Sequence, residues 1–338
     1  MPFADVIGHE GPKRKLRTAL ANETIGHAYL FVGEDGVGKQ LMAIRFSQAL
    51  CCELPPATGQ SDSCGQCRAC VQIASESYPD FLMIRPEEDK ANPQIKIDQI
   101  REVERHMMYR PLFSSRKICV INDADRLTSS AANAFLKTLE DPPEHCLFIL
   151  VTSHPMKLLA TVRSRCLTLR FFPASSSQVQ GALALKQAAP EDDAKFLSQV
   201  SGNRIGVALQ AEVAQVREHY LQFFELCRDH TLASTTEVLN LAEQFSKSGP
   251  CSDMVVWLSY GLRDLLLASI GAPERLWLHH SQRARIQQLI EDIAPDELFD
   301  LCDALYSLEQ APNRNLNSQL VLENFLIRFQ QVIHRHAA

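Results

Sequence analysis

Gly33-Glu34-Asp35-Gly36-Val37-Gly38-Lys39-Gln40 follows the apolar run Ala28-Tyr29-Leu30-Phe31-Val32 and opens a helical pattern that continues to about Cys52. A short, continuous apolar run reads as a strand buried on both faces, and a glycine-rich turn between such a strand and a helix is the setting a phosphate-binding loop requires. The glycines let backbone N–H groups curl around an anion, the helix N-terminus adds positive potential, and Lys39 would reach the outer phosphates. The next position departs from this pattern. Where a hydroxyl would ligate magnesium, Gln40 carries an amide. A glycine-rich turn that binds nothing is therefore a competing reading of the same residues.

Two further apolar runs, Ile118-Cys119-Val120-Ile121 and Leu147-Phe148-Ile149-Leu150-Val151-Thr152, alternate with helical patterns over about Asp98–Met108 and from near Thr128 to before Pro142-Pro143. Strands alternating with helices imply parallel pairing and a three-layer α/β core. In a phosphate-binding fold the end of a neighbouring strand supplies two acidic residues, one for magnesium and one to activate water. Here that strand ends Asn122-Asp123-Ala124-Asp125, so an amide stands at the metal position and an aspartate at the water position. With the hydroxyl and a carboxylate both missing, most of the electrostatic support for phosphoryl transfer is gone.

After Phe171-Phe172-Pro173 the strand signal fades and helical periodicity takes over. Gly202 and Gly206 read as punctuation between short helices, Pro250, Pro273, Pro295 and Pro312 as breaks between longer ones, and Ser234-Thr235-Thr236-Glu237 as a capping box. Two linker-like stretches, near 53–63 and 86–94, fall inside the first domain. The 338 residues imply two or three domains.

The composition, 46% hydrophobic and 22% charged, excludes disordered and fibrous classes. No apolar run reaches the roughly 18 residues of a bilayer span, and the first residues lack the basic and apolar segments of a secretion signal, so a cytoplasmic location without membrane contact is expected. The net charge of -6 is unevenly placed: residues 1–172 carry 21 basic and 20 acidic side chains, the remainder 13 and 20. A chain without a basic excess does not read as one that coats nucleic acid by itself, and the acidic C-terminal half is expected to contact protein.

Of the 11 cysteines, Cys51, Cys52, Cys64, Cys67 and Cys70 crowd into one stretch. Cys64-Gly65-Gln66-Cys67-Arg68-Ala69-Cys70 spaces three thiolates by three residues, and one more sulfur from upstream would complete a structural zinc site. Cys51 and Cys52 compete for that fourth place, because spacing alone does not fix which of them faces the ion. An iron–sulfur cluster is the other metal reading, without a further redox feature behind it. The scattered cysteines, Cys251 among them, read as small core residues.

Asn133-Ala134-Phe135-Leu136-Lys137-Thr138-Leu139-Glu140-Asp141-Pro142-Pro143-Glu144, followed by a strand and then Arg163-Ser164-Arg165-Cys166, makes a resemblance specific. Together with the altered loop, the altered acidic pair and the cysteine module, these residues resemble the clamp-loader branch of the AAA+ family over about residues 5 to 210. The resemblance implies an α/β AAA+ P-loop domain over 1–172 with an inserted zinc module at about 51–70, a small helical lid over 173–212 and an all-α collar or oligomerisation domain over 213–338. It assigns Cys52 as the fourth ligand beside Cys64, Cys67 and Cys70, with Zn²⁺ in a structural role. Arg165 matches the arginine finger that acts on the ATP of an adjacent subunit, and Thr152 matches the first sensor. Gly33, Gly38 and Lys39 belong to a degenerate P-loop, passive or vestigial, for which neither Mg²⁺ nor productive ATP binding is expected. Arg204, two residues after Gly202, falls near the second sensor but out of step with it.

The implied function is a subunit of the bacterial DNA polymerase III clamp loader, in the cytoplasm at the replisome. It would lack its own ATPase and sit in a hetero-oligomeric ring with gamma/tau and delta subunits, reaching the sliding clamp and primer–template DNA through the complex. The alternative is an active gamma/tau-like ATPase, against which Gln40 and Asn122 speak. A small-molecule P-loop kinase leaves the cysteine module unexplained, and a zinc-dependent nucleic-acid module would need a basic face.

Overall fold

The computed structural model describes residues 2–54, 62–87, 93–228, 234–247, 252–278, 282–291, 293–311 and 316–333. Pro250, Cys251 and Pro312 lie outside the described residues, as do the centres of both linker-like stretches, 55–61 and 88–92. The chain forms two compact units, Met1–Gln210 and Ala211–Ala338.

The first unit runs α1 (Glu10–Ala21), β1 (Ala28–Val32), α2 (Lys39–Cys51), α3 (Arg68–Ala74), β2 (Phe81–Ile84), α4 (Ile97–Met108), β3 (Lys117–Ile121), α5 (Ser129–Glu140), β4 (Cys146–Thr152), α6 (Ala160–Arg163), β5 (Leu167–Arg170), α7 (Ser176–Gln187), α8 (Glu191–Val200) and α9 (Ile205–Gln210). All strand pairs are parallel, in the order β2-β3-β4-β1-β5. This is a parallel α/β architecture with the glycine-rich loop between β1 and α2, as the sequence led one to expect. The helices of the segment expected as a lid, α7 to α9, belong to this compact unit.

Alternation along the buried strands divides the core into two layers. Tyr29, Phe31, Ile118, Val120, Leu147, Ile149 and Val151 face one cluster, while Leu30, Cys119, Ile121, Phe148 and Leu150 face the other. A strand with apolar residues on both faces can lie only inside such a sandwich, which is why these runs read as continuous rather than alternating. Strands β2 and β5 escaped the sequence reading, being four residues each at the sheet edges, and β5 is mostly exposed. The Thr128 hydroxyl caps α5 by accepting the Ala131 N–H at 3.2 Å.

Gly206 does not break a helix as expected but lies inside α9. Packing overrides its low helix propensity here. A Cβ at this position would sit 2.8 Å from the Gly36 carbonyl oxygen.

The second unit is all-α among its described residues: α10 (Val213–Leu226), α11 (Thr235–Lys247), α12 (Ser252–Ser269), α13 (Arg283–Ile290), α14 (Pro295–Gln310) and α15 (Ser318–Ile333). They pack around Phe223, Leu258, Leu262, Phe325 and Phe329, all fully or almost fully buried. The capping box forms at α11, with Ser234 N–H donating to Glu237 at 2.9 Å and Glu237 N–H donating to Ser234 Oγ at 3.3 Å. Pro295 opens α14 as its first residue, where its missing N–H costs nothing. No helix among the described residues is long and apolar enough to cross a membrane.

Candidate functional site

The P-loop connects β1 to α2 and lies at the C-terminal ends of the strands, where open parallel sheets form their crevices. Lys39 lines that crevice, but its ammonium is engaged within the loop itself. Its ammonium donates to the carbonyls of Gly33 at 2.6 Å and Glu34 at 2.7 Å, with the Asp35 carboxylate 3.6 Å away. The side chain is almost wholly buried, and burial lowers its pKa while Asp35, Asp123 and Asp125 act in the opposite direction. The loop is also held from above. Gly206 N–H donates to Gly36 O at 2.7 Å, and a Cβ on Gly36, whose φ is +77°, would lie 2.6 Å from Val207 Cγ2. Arg204, the residue near the second-sensor position, lies 4.0 Å from the loop's own Glu34.

A cleft of about 340 Å³ borders this loop, lined among others by Gly38, Lys39, Gln40, Asn122 and Asp123. Asn122 N–H extends the sheet pairing by donating to Ile84 O at 2.9 Å. Asp123 adopts a left-handed conformation at φ 49°, and burial raises its pKa, reinforced by Asp35. Thr152, the last residue of β4, is fully buried and its hydroxyl is already engaged: it donates to Asp125 Oδ1 at 2.6 Å and accepts the His154 N–H at 3.1 Å. Asp125 was missed as a site residue in the sequence. Its only signal was an acidic side chain two positions beyond Asp123, and the partner that gives it a role is 27 residues away.

At the other end of α2, Cys52, Cys64, Cys67 and Cys70 bring their sulfurs within 4.8 Å of one another. Tetrahedral zinc with Zn–S bonds of about 2.3 Å separates its sulfurs by roughly 3.8 Å, and Cys52 and Cys67 stand 4.0 Å apart. Backbone N–H groups already point at the sulfurs: Cys67 N–H to Cys64 Sγ at 3.2 Å, Gln66 N–H to Cys64 Sγ at 3.4 Å and Cys64 N–H to Cys52 Sγ at 3.3 Å. Such donors stabilise thiolate over thiol, and those of Gln66 and Cys67 push the Cys64 pKa down to about 7. Burial acts the other way on Cys52 and Cys70, whose thiols are pushed up, so Cys64 is the sulfur prepared as a thiolate. Four soft donors converging this closely fit a metal such as zinc. Cys51 stays out of the cluster. It is the buried last residue of α2, and burial pushes its thiol up to about 12.

Arg165 sits in the turn between α6 and β5, where Nη2 donates to Glu140 Oε1 at 2.7 Å and Nη1 to Thr161 O at 3.0 Å. Its side chain is 34% exposed. It is not among the residues lining the P-loop cleft, so the structure gathers Gly38, Lys39, Gln40, Asn122 and Asp123 into one place and leaves Arg165 at another.

Two family models match the chain: DNA polymerase III, delta subunit, over residues 8–175, and DNA polymerase III, delta subunit, C terminal, over residues 214–331. The chain belongs to the DNA polymerase III clamp-loader family. Within that family it is 29% identical to DNA polymerase III subunit delta' of Pseudomonas aeruginosa, the match covering 90% of this chain and 91% of the relative. It is 26% identical to DNA polymerase III subunit tau of Bacillus subtilis over 99% of this chain, spanning only 62% of that longer relative. Among solved structures, a gamma-subunit-related protein of Thermotoga maritima aligns over 96% of this chain and 99% of its own at 20% identity, with a TM-score of 0.41.

Proposed function

We propose that this chain is a delta-prime-like, non-hydrolysing clamp-loader subunit that assembles with gamma/tau and delta subunits and helps load a sliding clamp onto primed DNA. It acts in the bacterial cytoplasm and touches clamp and DNA through the complex. The observation that carries the reading is the state of Lys39. An ammonium spent on two carbonyls of its own loop, beside Gln40 and Asn122 where magnesium ligands belong, is poorly placed to serve a bound triphosphate. The engaged hydroxyl of Thr152 supports the same conclusion.

Arg165 is the residue this subunit contributes to phosphate chemistry, offered across an interface to a neighbour's ATP. A guanidinium keeps its charge at any working pH and grips two oxygens at once, so it can stabilise a transition state that its own subunit never forms. Zinc held by Cys52, Cys64, Cys67 and Cys70 is structural, fixing the segment after α2 against α3.

The active gamma/tau-like reading draws on the similarity to the Bacillus subtilis tau subunit. Binding and turnover of labelled ATP, measured on the isolated chain and on the complex reconstituted with gamma/tau-type and delta-type subunits, separates the two. The isolated chain should show no turnover. In the complex, Arg165→Ala should lower hydrolysis at the adjoining site by a factor on the order of 10³ or more. Magnesium-dependent turnover by the isolated chain would overturn the proposal.

A further inference from the structure

Arg165 is held in its own subunit by two different elements. Glu140 is the last residue of α5, and its carboxylate accepts from Nη2 at 2.7 Å; Thr161 belongs to α6, and its carbonyl accepts from Nη1 at 3.0 Å. Both terminal nitrogens of the guanidinium therefore already face an acceptor. A planar guanidinium binds a phosphate through two adjacent N–H groups, so an acceptor at each terminal nitrogen competes for that fork. The competition is also electrostatic. A carboxylate in direct contact cancels part of the charge that a phosphate would feel, and the end of α5 adds the partial negative charge of its last carbonyls.

The contact is nonetheless easy to break. Arg165 is 34% exposed and Glu140 53%. Ion pairs this exposed shift an equilibrium by only about 1.4- to 5-fold. That is enough to hold back a finger in the absence of a competitor and too little to resist a triphosphate presented in the right geometry.

We infer that Glu140 is a positioning residue for Arg165, parking the finger on its own subunit until a correctly seated neighbour draws it away. The inference rests on the reading of Arg165 as a finger acting in trans. It gives the glutamate of the Leu136-Lys137-Thr138-Leu139-Glu140 segment a purpose that its place at a helix end does not supply. It also sets a direction: the pair restrains hydrolysis when clamp and DNA are absent and matters little once they are present, because closure of the ring then supplies the competing phosphate.

The test is steady-state ATP hydrolysis by the full-length chain reconstituted with gamma/tau-type and delta-type subunits, with and without clamp and primed DNA. Glu140→Gln, which removes the charge and keeps the shape, should raise the unstimulated kcat about two- to fivefold. The KM for ATP should not move, because ground-state binding belongs to the neighbour's own loop. The stimulated rate should change little, so that the stimulation ratio falls. Glu140→Ala should behave likewise, Glu140→Asp should return toward the wild-type ratio, and Arg165→Ala combined with Glu140→Gln should abolish the gain. A purely structural role for Glu140 would lower the melting temperature and leave the ratio alone. An unstimulated rate at or below wild type in both Gln and Ala variants, in a complex where Arg165→Ala still lowers hydrolysis, overturns the parking role and leaves the finger standing. If Arg165→Ala leaves hydrolysis unchanged, the finger reading fails and the inference fails with it.

Discussion

At its N-terminal end α2 begins with Lys39, whose ammonium is satisfied by Gly33 and Glu34; just past its C-terminal end Cys52 joins three other sulfurs. The first end is closed by the chain itself, since the cation has its acceptors, the Gly36 carbonyl has the Gly206 N–H, and the Thr152 hydroxyl has Asp125. The second gathers four sulfurs that could hold a metal ion. As thiolates, sulfurs gathered this closely would repel one another, and the N–H groups aimed at Cys52 and Cys64 would only partly offset that repulsion. One helix thus joins a loop whose polar groups are engaged by internal contacts to a cluster of sulfurs that could hold a metal ion.

The comparison is broken most visibly at the cysteine end. Purified chain should carry one zinc, and Cys64→Ser should release it and lower the melting temperature by roughly 5 °C or more, because ligand binding is folding free energy in a structural site. Cys51→Ser should keep the zinc, since that thiol lies in the core and outside the cluster. Elemental analysis and differential scanning calorimetry on the same preparations check both, and zinc loss from the Cys51 variant would reverse the assignment.

At the other end, the closure itself can be attacked. Gly206→Val places a branched side chain where even a Cβ meets the Gly36 oxygen at 2.8 Å, and should destabilise the first unit by about 1–3 kcal/mol. Hydrogen exchange should show the loss as faster exchange in the P-loop and α9. Unchanged protection there would mean that the contact is incidental.

The smallest effect expected sharpens the contrast. Lys39→Ala should leave turnover of the reconstituted complex within about twofold of wild type, whereas the equivalent change in a working P-loop removes phosphate stabilisation and with it most activity. A large loss in a normally assembled complex would show that the inward-facing lysine turns outward to bind nucleotide.

Much of this was legible in the chain because it was local. The strand–turn–helix around Gly33–Gln40 announces itself through hydrophobic periodicity, Thr128 and Ser234 mark helix starts through their capping hydroxyls, and the spacing of Cys64, Cys67 and Cys70 suits a metal whatever surrounds it. Short edge strands gave too few residues for a period to emerge, which is why Phe81–Ile84 and Leu167–Arg170 were missed. Gly206 was misread because an interior glycine and a helix break look alike until the neighbour that excludes a side chain is known.

The sequence by itself determined the layered α/β domain, the helical remainder, the cysteine module and the presence of amides, Gln40 and Asn122, where a hydroxyl and a carboxylate were looked for. Each follows from residue type at short range. Tertiary structure alone decided what happens to the groups that remain. The choice of Cys52 over Cys51 is the exception, since the family resemblance had already made it; the structure supplies the reason, the backbone leaving the helix at Cys52, at ψ 123°, and turning that sulfur toward Cys64 and Cys67 while Cys51 stays in the core. Lys39 turns inward, Thr152 meets Asp125, Gly206 seals Gly36 and Glu140 reaches Arg165. In the last three pairs the partners lie 25 or more residues apart along the chain and meet only because the parallel sheet and the helices around it bring them together. Hydrogen bonds select partners by distance and angle, and those exist only after folding.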